Sequence, residues 1–306
     1  MMLDIKDFYL NTPMERYEYM RLKLTDIPEE IIVEYNLREI VTDDGFVYCE
    51  IRKGMYGLPQ AGLIAQQLLE ERLAKQGYHQ SKIVPGLWTH ETRDIFFTLV
   101  VDDFAVKYTK TEDAQHLIDA IQKDYTMTVD WDATKYIGLT VEWDYNKRKV
   151  YLHMPGYLEK ALLRFKHEKP KKKQNSPHPH VLPQYGAKAQ YVENVDSLPP
   201  LGKDDTKYIQ AYGRAVDSTI PPALSAIATE QAKPAAKTLA TVKHLLDYCA
   251  TQDEAIIEYH ASDMILAVHS DAGYCNEKNA RIRAGGHFFL LSNVDDPPTM
   301  AQFSPS

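Results

Sequence analysis

The sequence predicts a mixed α+β fold, with antiparallel strands backed by amphipathic helices, and three observations carry that expectation. Ile64, Ala65, Leu68, Leu69 and Leu73 recur at helical spacing within 61–75, ahead of Gly77. Ile95 to Val101 is a run of β-branched and aromatic residues of strand length. Phe104 to Tyr108 follows after only two intervening acids, so it reads as the return strand of a hairpin.

The remaining elements fall in order. Thr111 reads as an N-cap, with Glu112 and Asp113 placed where the helix dipole favours acids and Leu117, Ile118 and Ile121 forming the apolar face. Tyr136 to Asp144 and Lys149 to His153 read as strands around the polar turn Tyr145-Asn146-Lys147-Arg148, and Gly156 to Phe165 resumes helix. Composition then breaks. Lys166 to Lys173 holds five lysines, and Ser-Pro-His-Pro-His-Val-Leu-Pro follows at 176–183, a proline density that predicts an extended linker reaching about Lys203. Ala235 to Ala250 is a helix behind Pro234, with Leu239, Val242, Leu245 and Leu246 aligned. Met264 to Asp271 and Arg283 to Leu291 close the pattern as two strands.

Bulk properties exclude several classes. At 306 residues, 44% hydrophobic and 25% charged, the chain has the composition of a globular protein rather than a disordered one. Its longest nearly unbroken apolar run, Ile95 to Val101, has seven residues, against roughly 20 for a membrane helix, and its start lacks the layout of a secretory signal. Cys49, Cys249 and Cys275 are odd in number and widely spaced, which argues against a disulfide framework or a zinc site and fits a reducing compartment. The net charge of -8 runs against nucleic-acid binding by the bulk rule, although a local basic groove can coexist with a negative total.

Leu99-Val100-Val101-Asp102-Asp103-Phe104 is the most informative segment. Two adjacent carboxylates sit where the chain must turn, without the glycine that tight hairpins prefer. Acids also suit a solvated hairpin tip. Held about 4 Å apart, the two charges repel by roughly 1 kcal/mol even at the dielectric of water. Oxygen donors with no neighbouring His or Cys point to Mg²⁺ or Mn²⁺. Asp4 and Asp7 lie beside Phe8 and Tyr9 near the start, and Lys53 to Gly62 places Gly, Pro and Gln60 directly ahead of a helix.

Taken in order, these segments resemble the reverse transcriptase of copia-type retrotransposons. Asp4-Ile5-Lys6-Asp7-Phe8-Tyr9-Leu10-Asn11 is similar to the first palm motif. Tyr56-Gly57-Leu58-Pro59-Gln60-Ala61 resembles the Tyr-Gly-Leu-x-Gln-Ala element, and Val100-Val101-Asp102-Asp103 stands in the place of Tyr-x-Asp-Asp. Tyr136-Ile137-Gly138-Leu139 resembles the strand that grips the primer end. Arg214-Ala215-Val216-Asp217 and His269-Ser270-Asp271-Ala272-Gly273-Tyr274 follow the family's later order.

The resemblance implies a reverse-transcriptase palm, an antiparallel sheet backed by helices, with part of the fingers and the start of the thumb over 1–165. A Lys/Pro-rich linker over 166–205, a helical connection over 206–260 and an incomplete ribonuclease H-like α/β region over 261–306 follow. It implies RNA-directed DNA synthesis on a primed RNA or DNA template from deoxynucleoside triphosphates, with two Mg²⁺ (or Mn²⁺) ions held by the catalytic acids Asp4, Asp102 and Asp103. Tyr9 matches the aromatic floor beneath the incoming sugar, where core packing is the alternative role. Gln60 matches the amide that touches the nucleotide, and Tyr136 and Gly138 lie at the primer contact. Other segments of a retroelement polyprotein are implied partners, no membrane is, and the implied location is cytoplasmic, virus-like particles included.

The departures set further expectations. Val100 replaces an aromatic, Phe8 is bulkier than the usual residue, and Pro221-Pro222 stand where an apolar helix is expected. The chain opens at the first motif, so the upstream fingers are expected to be missing, and Asp4 would fray unless its strand is tied down. Asp271 resembles the first acid of a ribonuclease H site, but no ribonuclease activity is expected. A catalytically silent remnant that keeps the fold is the alternative to a polymerase, and a nuclease centred on Asp271 is a third reading. Solvated chain competes with phosphate binding for the lysine run.

Overall fold

The computed structural model describes residues 1–179, 217, 219–230, 235–252, 254–273 and 283–293. Arg214, Ala215, Val216, His180, Tyr274 and Cys275, which the sequence reading singled out, lie outside them. The chain forms two compact units, Met1–Ile137 and Gly138–Ser306.

The first unit is built on a six-stranded, wholly antiparallel sheet. Its strands are β1 (Met2–Ile5), β4 (Tyr78–Gln80), β5 (Leu87–His90), β6 (Ile95–Val100), β7 (Asp103–Tyr108) and β8 (Met127–Asp130), in the order β4-β5-β6-β7-β1-β8. Two helices, α2 (Pro59–Ala74) and α3 (Thr111–Gln122), back one face. Alternation decides which face: Leu3, Ile5, Phe97, Leu99, Phe104 and Val106 are buried with Ala65, Leu69, Leu73, Leu117 and Ile121 of the helices. The intervening residues Asp4, Thr98, Val100 and Asp103 stay on the open face. Helix α2 begins with proline in its first turn, where the missing N–H costs nothing. Helix α3 starts one residue earlier than expected: Lys110 is the N-cap and Thr111 is already helical.

A separate ribbon pairs β2 (Pro13–Lys23) with β3 (Phe46–Lys53). Its inner residue Val47 packs with Ile32 of α1 (Glu29–Glu34) and with Leu37 in a small second cluster. The two-residue β9 (Lys135–Tyr136) ends the unit. The single strand expected over Tyr136 to Asp144 is therefore interrupted, because Ile137 and Gly138 both take positive φ, 46° and 83°.

The second unit holds a sheet of β10 (Leu139–Asp144), β11 (Lys149–His153) and β12 (Ile257–His260), all antiparallel. Its core is helical. Ile220, Ala223 and Ile227 of α5 (Ile220–Thr229) and Val242, Leu245 and Leu246 of α6 (Ala236–Thr251) are buried together, with Leu158 and Leu162 of α4 (Tyr157–Arg164) packed against them. Pro221 and Pro222 thus do not displace a helix; they lie in the first turn of α5. Asp217 is buried ahead of it, and its carboxylate accepts from the Thr219 hydroxyl (2.6 Å) and the Tyr248 hydroxyl (3.1 Å).

Two expectations change here. The stretch after Lys166 lacks regular structure to residue 179, yet it is fastened to α6: His167 meets Asp247 at 2.9 Å, and the Gln174 N–H donates to the Thr251 hydroxyl at 3.0 Å. The end of the described chain is a single hairpin of β13 (Ile265–Gly273) and β14 (Arg283–Leu291), so a ribonuclease H-like fold is not established by the described residues. Among the described residues no helix is long and apolar enough to cross a membrane.

Candidate active site

Strand β1 is interior to its sheet. It pairs with β7 through Leu3↔Phe104 and Asp4↔Asp103, and with β8 through Asp4↔Thr128 and Ile5↔Met127. The terminal ammonium of Met1 donates to the Val106 carbonyl at 3.3 Å, and the Val106 N–H donates to the Met1 carbonyl at 2.9 Å. Fraying of Asp4 is therefore not what the structure shows. Leu3 and Ile5 are only 2% and 1% exposed, and burying these two flanking side chains holds the acid between them in place.

The hairpin from β6 to β7 turns through Val101 and Asp102, with Val100 paired to Asp103. Val101 adopts φ 62°, a left-handed conformation that is strained for a β-branched residue and would be free for glycine. The turn continues the ladder onto β1, because the Ile5 N–H donates to the Asp102 carbonyl at 3.1 Å. Asp4 and Asp103 are thus a directly opposed cross-strand pair on the open face, and Asp102 lies one position beyond. Folding brings Asp4 to two adjacent acids that are remote from it in sequence.

Their electrostatics agree with this placement. Burial raises the Asp102 carboxyl above the usual range; a backbone hydrogen bond opposes the rise and the charge of Asp4 adds to it. Burial likewise raises Asp103, reinforced by Asp102 and then by Asp4. A cation would relieve both burial and repulsion, and the all-oxygen donor set fits a hard divalent ion such as Mg²⁺. Among the described residues, however, no group of three or more His, Cys, Asp and Glu closes to metal-holding geometry.

The flanking residues divide into those near the acids and those engaged elsewhere. The Tyr9 ring packs against the core and meets the Tyr56 ring edge-on, 4.7 Å between centroids. Gly54 leaves room for the Tyr9 backbone, since a Cβ there would come within 2.6 Å of the Tyr9 carbonyl, and Gly62 faces the ring, where a Cβ would make an ordinary 3.7 Å contact with its hydroxyl. Tyr56 was named from the sequence only as the first residue of the Tyr-Gly-Leu-x-Gln-Ala element, with no role in the site. Desolvation, then the charges of Asp102, Tyr9, Asp7 and Asp4, raise its hydroxyl above the ordinary value, which sets it beside the acidic group. Its signal was its position, an aromatic within a glycine-bounded loop. Gln60 donates through Nε2 to Glu18 at 2.8 Å, so this amide is tied to β2. The Tyr136 hydroxyl lies 2.9 Å from the Thr98 hydroxyl on the open face, and Gly138 has clear space where a Cβ would stand.

Comparison with known proteins agrees with the geometry. Residues 3–173 match the model of the reverse transcriptase (RNA-dependent DNA polymerase) family. The chain is also 23% identical over 307 residues to the putative transposon Ty5-1 protein of Saccharomyces cerevisiae, with 95% of this chain and 90% of that protein covered. With more than half of its length inside the family's span, and with the acids of its first and third motifs paired on adjacent strands, this chain belongs to the reverse transcriptase family, as the copia-type resemblance of its motifs implied.

Proposed function

We propose that this chain is the polymerase segment of a copia-type retrotransposon polyprotein and carries out RNA-directed DNA synthesis. The observation that carries the reading is the pairing of Asp4 with Asp103 while Asp102 is bonded through its carbonyl to the next residue of β1. In the proposed reaction a primer 3′-hydroxyl attacks the α-phosphate of a deoxynucleoside triphosphate and pyrophosphate leaves. Asp4, Asp102 and Asp103 present the carboxylate oxygens that would hold two Mg²⁺ ions. Bound there, these ions would supply charge neutralisation for the attacking and leaving oxygens. The chain's own part is positioning and electrostatics rather than covalent chemistry.

The other residues take supporting roles. The Tyr9 ring, backed by Gly62 and Tyr56, forms a floor under the incoming sugar and collides with a 2′-hydroxyl. Gln60, steered by Glu18, faces the nucleotide, and Tyr136 and Gly138 contact the primer strand. Primed RNA or DNA and deoxynucleoside triphosphates are the partners, in the cytoplasm. Residues 261–306 open an incomplete ribonuclease H-like region in this reading, on the strength of the motif resemblance at His269 to Tyr274 alone.

Primer extension on a short RNA template in Mg²⁺ tests the assignment. The full chain is expected to extend the primer. Asp102→Asn is expected to lower extension by at least about 10³-fold while circular dichroism shows an unchanged fold. If the wild-type chain gives no extension in either Mg²⁺ or Mn²⁺, the polymerase reading fails and a silent remnant that keeps the fold replaces it.

A further inference from the structure

The hairpin of β13 and β14 is covered on one face and open on the other. Ile265, Ala267, Phe289 and Leu291 are half-buried or buried, whereas the side chains that alternate with them are exposed. The register sets the open residues in four cross-strand pairs on one face: Leu266↔Leu290, Val268↔Phe288, Ser270↔Gly286 and Ala272↔Ala284. None of the eight is charged. Leu266, Val268, Phe288 and Leu290 are 62%, 47%, 66% and 39% exposed. Among the described residues no third strand pairs with either edge of this hairpin, and a two-stranded ribbon on its own is marginal in water.

A contiguous apolar face about 20 Å long, by the rise of a strand, marks an interaction surface. Its chemistry narrows the occupant. The face holds no cation for a phosphate or an anionic membrane and no acid for a basic partner, so an apolar protein surface fits it. Its shape narrows the choice further. Two bulky pairs, Leu266/Leu290 and Val268/Phe288, stand at one end, and two small pairs stand at the other. A second copy turned by 180° about an axis along the ladder hydrogen bonds lays each bulky end on a small end, with the sheets about 10 Å apart. Leu266 then lies on the partner's Ala272, and Leu290 on the partner's Ala284. Phe288 leans over Gly286, where a Cβ would come within 3.1 Å of its ring, so it reaches toward the axis and the two Phe288 rings meet there. We propose that this face docks a second copy of the chain about a two-fold axis, forming a homodimer centred on Phe288, independent of whether the chain polymerises. The footprint is small beside the roughly 800 Å² per partner of a standard interface, so the dimer is transient, with a dissociation constant on the order of 10–100 µM.

Sedimentation velocity of the full chain from about 1 to 300 µM tests the proposal. The wild-type mass is expected to rise from one chain toward two and to level there. Phe288→Lys, at an exposed position, is expected to keep the wild-type circular dichroism and to weaken association at least about tenfold. His287→Lys, on the opposite face, is expected to leave association within about twofold of wild type. Leu266→Glu and Ala272→Lys are each expected to weaken it at least about tenfold, and an equimolar mixture of the two to recover it, because the two-fold sets the new acid against the new base. A single-chain mass throughout, or growth past two chains without a plateau, overturns the proposal. So does wild-type association by Phe288→Lys, an equal loss in His287→Lys, or a mixture no better than its components.

Discussion

Two hairpins in this molecule carry the acids that the sequence singled out, and they have different fates. The β6–β7 hairpin bears Asp102 and Asp103 and lies inside a six-stranded sheet, with β1 on its far side bringing Asp4 opposite Asp103. The β13–β14 hairpin bears Asp271, which lies opposite Gly285 and accepts a hydrogen bond from the N–H of its own neighbour Ala272 at 2.8 Å. One hairpin has a helix-backed face, with Phe97 and Phe104 no more than 1% exposed; the other leaves Leu266 and Phe288 62% and 66% exposed. A turn acid becomes a candidate catalyst when a non-local strand delivers a second acid to it and a packed core holds both. Asp271 has neither among the described residues.

The largest expected contrast is in activity. Asp102→Asn should reduce primer extension by at least about 10³-fold, whereas Asp271→Asn should leave the extension rate within twofold of wild type. Equal losses would erase the distinction between the hairpins. Stability comes next. Phe104→Ala removes a fully buried ring and should cost about 3–5 kcal/mol in urea unfolding; Phe288→Ala, on an exposed face, should stay within about 0.5 kcal/mol.

A smaller effect sharpens the comparison at the turn itself. Val101→Gly relieves the left-handed strain at φ 62° and should stabilise the first unit by about 1 kcal/mol, read as a higher denaturation midpoint. No change would mean that the turn is not strained.

The least effect concerns pH and the far edge of the same sheet. Burial, then the charges of Arg93, His90 and Lys123, hold the His116 imidazole below its ordinary pKa against the opposing charge of Asp119. The Tyr78 hydroxyl, whose own pKa is raised mainly by burial, is hydrogen-bonded to its Nδ1 at 2.9 Å. The unfolded chain therefore takes up this proton first. The stabilisation is complete above the ordinary histidine pKa of about 6.5 and is lost as pH falls through that value toward the folded one. Urea midpoints should drop between pH 7.5 and 5.5 in wild type and drop less in His116→Gln.

Much of the architecture was legible before folding. The helices at 59–74 and 111–122 announced themselves by apolar spacing, and the β6–β7 hairpin by an apolar run broken at two acids. The ribbon of β2 and β3 was not read as strands. Its outer face alternates Tyr17, Tyr19, Arg21 and Lys23, and the ribbon buries only Met14 and Val47 below a tenth exposed, so the apolar contrast that marks a strand is weak. Strands β4 and β5 have three and four residues, too short for a periodic signal. The stretch after Lys166 read as free linker because its composition forbids regular structure; its anchorage depends on His167 and Gln174 finding α6, about 80 residues later.

The sequence by itself determined which side chains could do chemistry: the acids, the aromatic pair at Phe8 and Tyr9, and a hairpin that presents Asp102 and Asp103 at its tip. Only the tertiary structure decided that Asp4 would stand across from Asp103. That outcome depends on β1 inserting between β7 and β8 in one register, since a slip of a single residue would turn Leu3 and Ile5 to solvent and Asp4 into the core. Propensity acts over a few neighbouring residues, whereas register is set by burying side chains against a surface assembled from the whole unit.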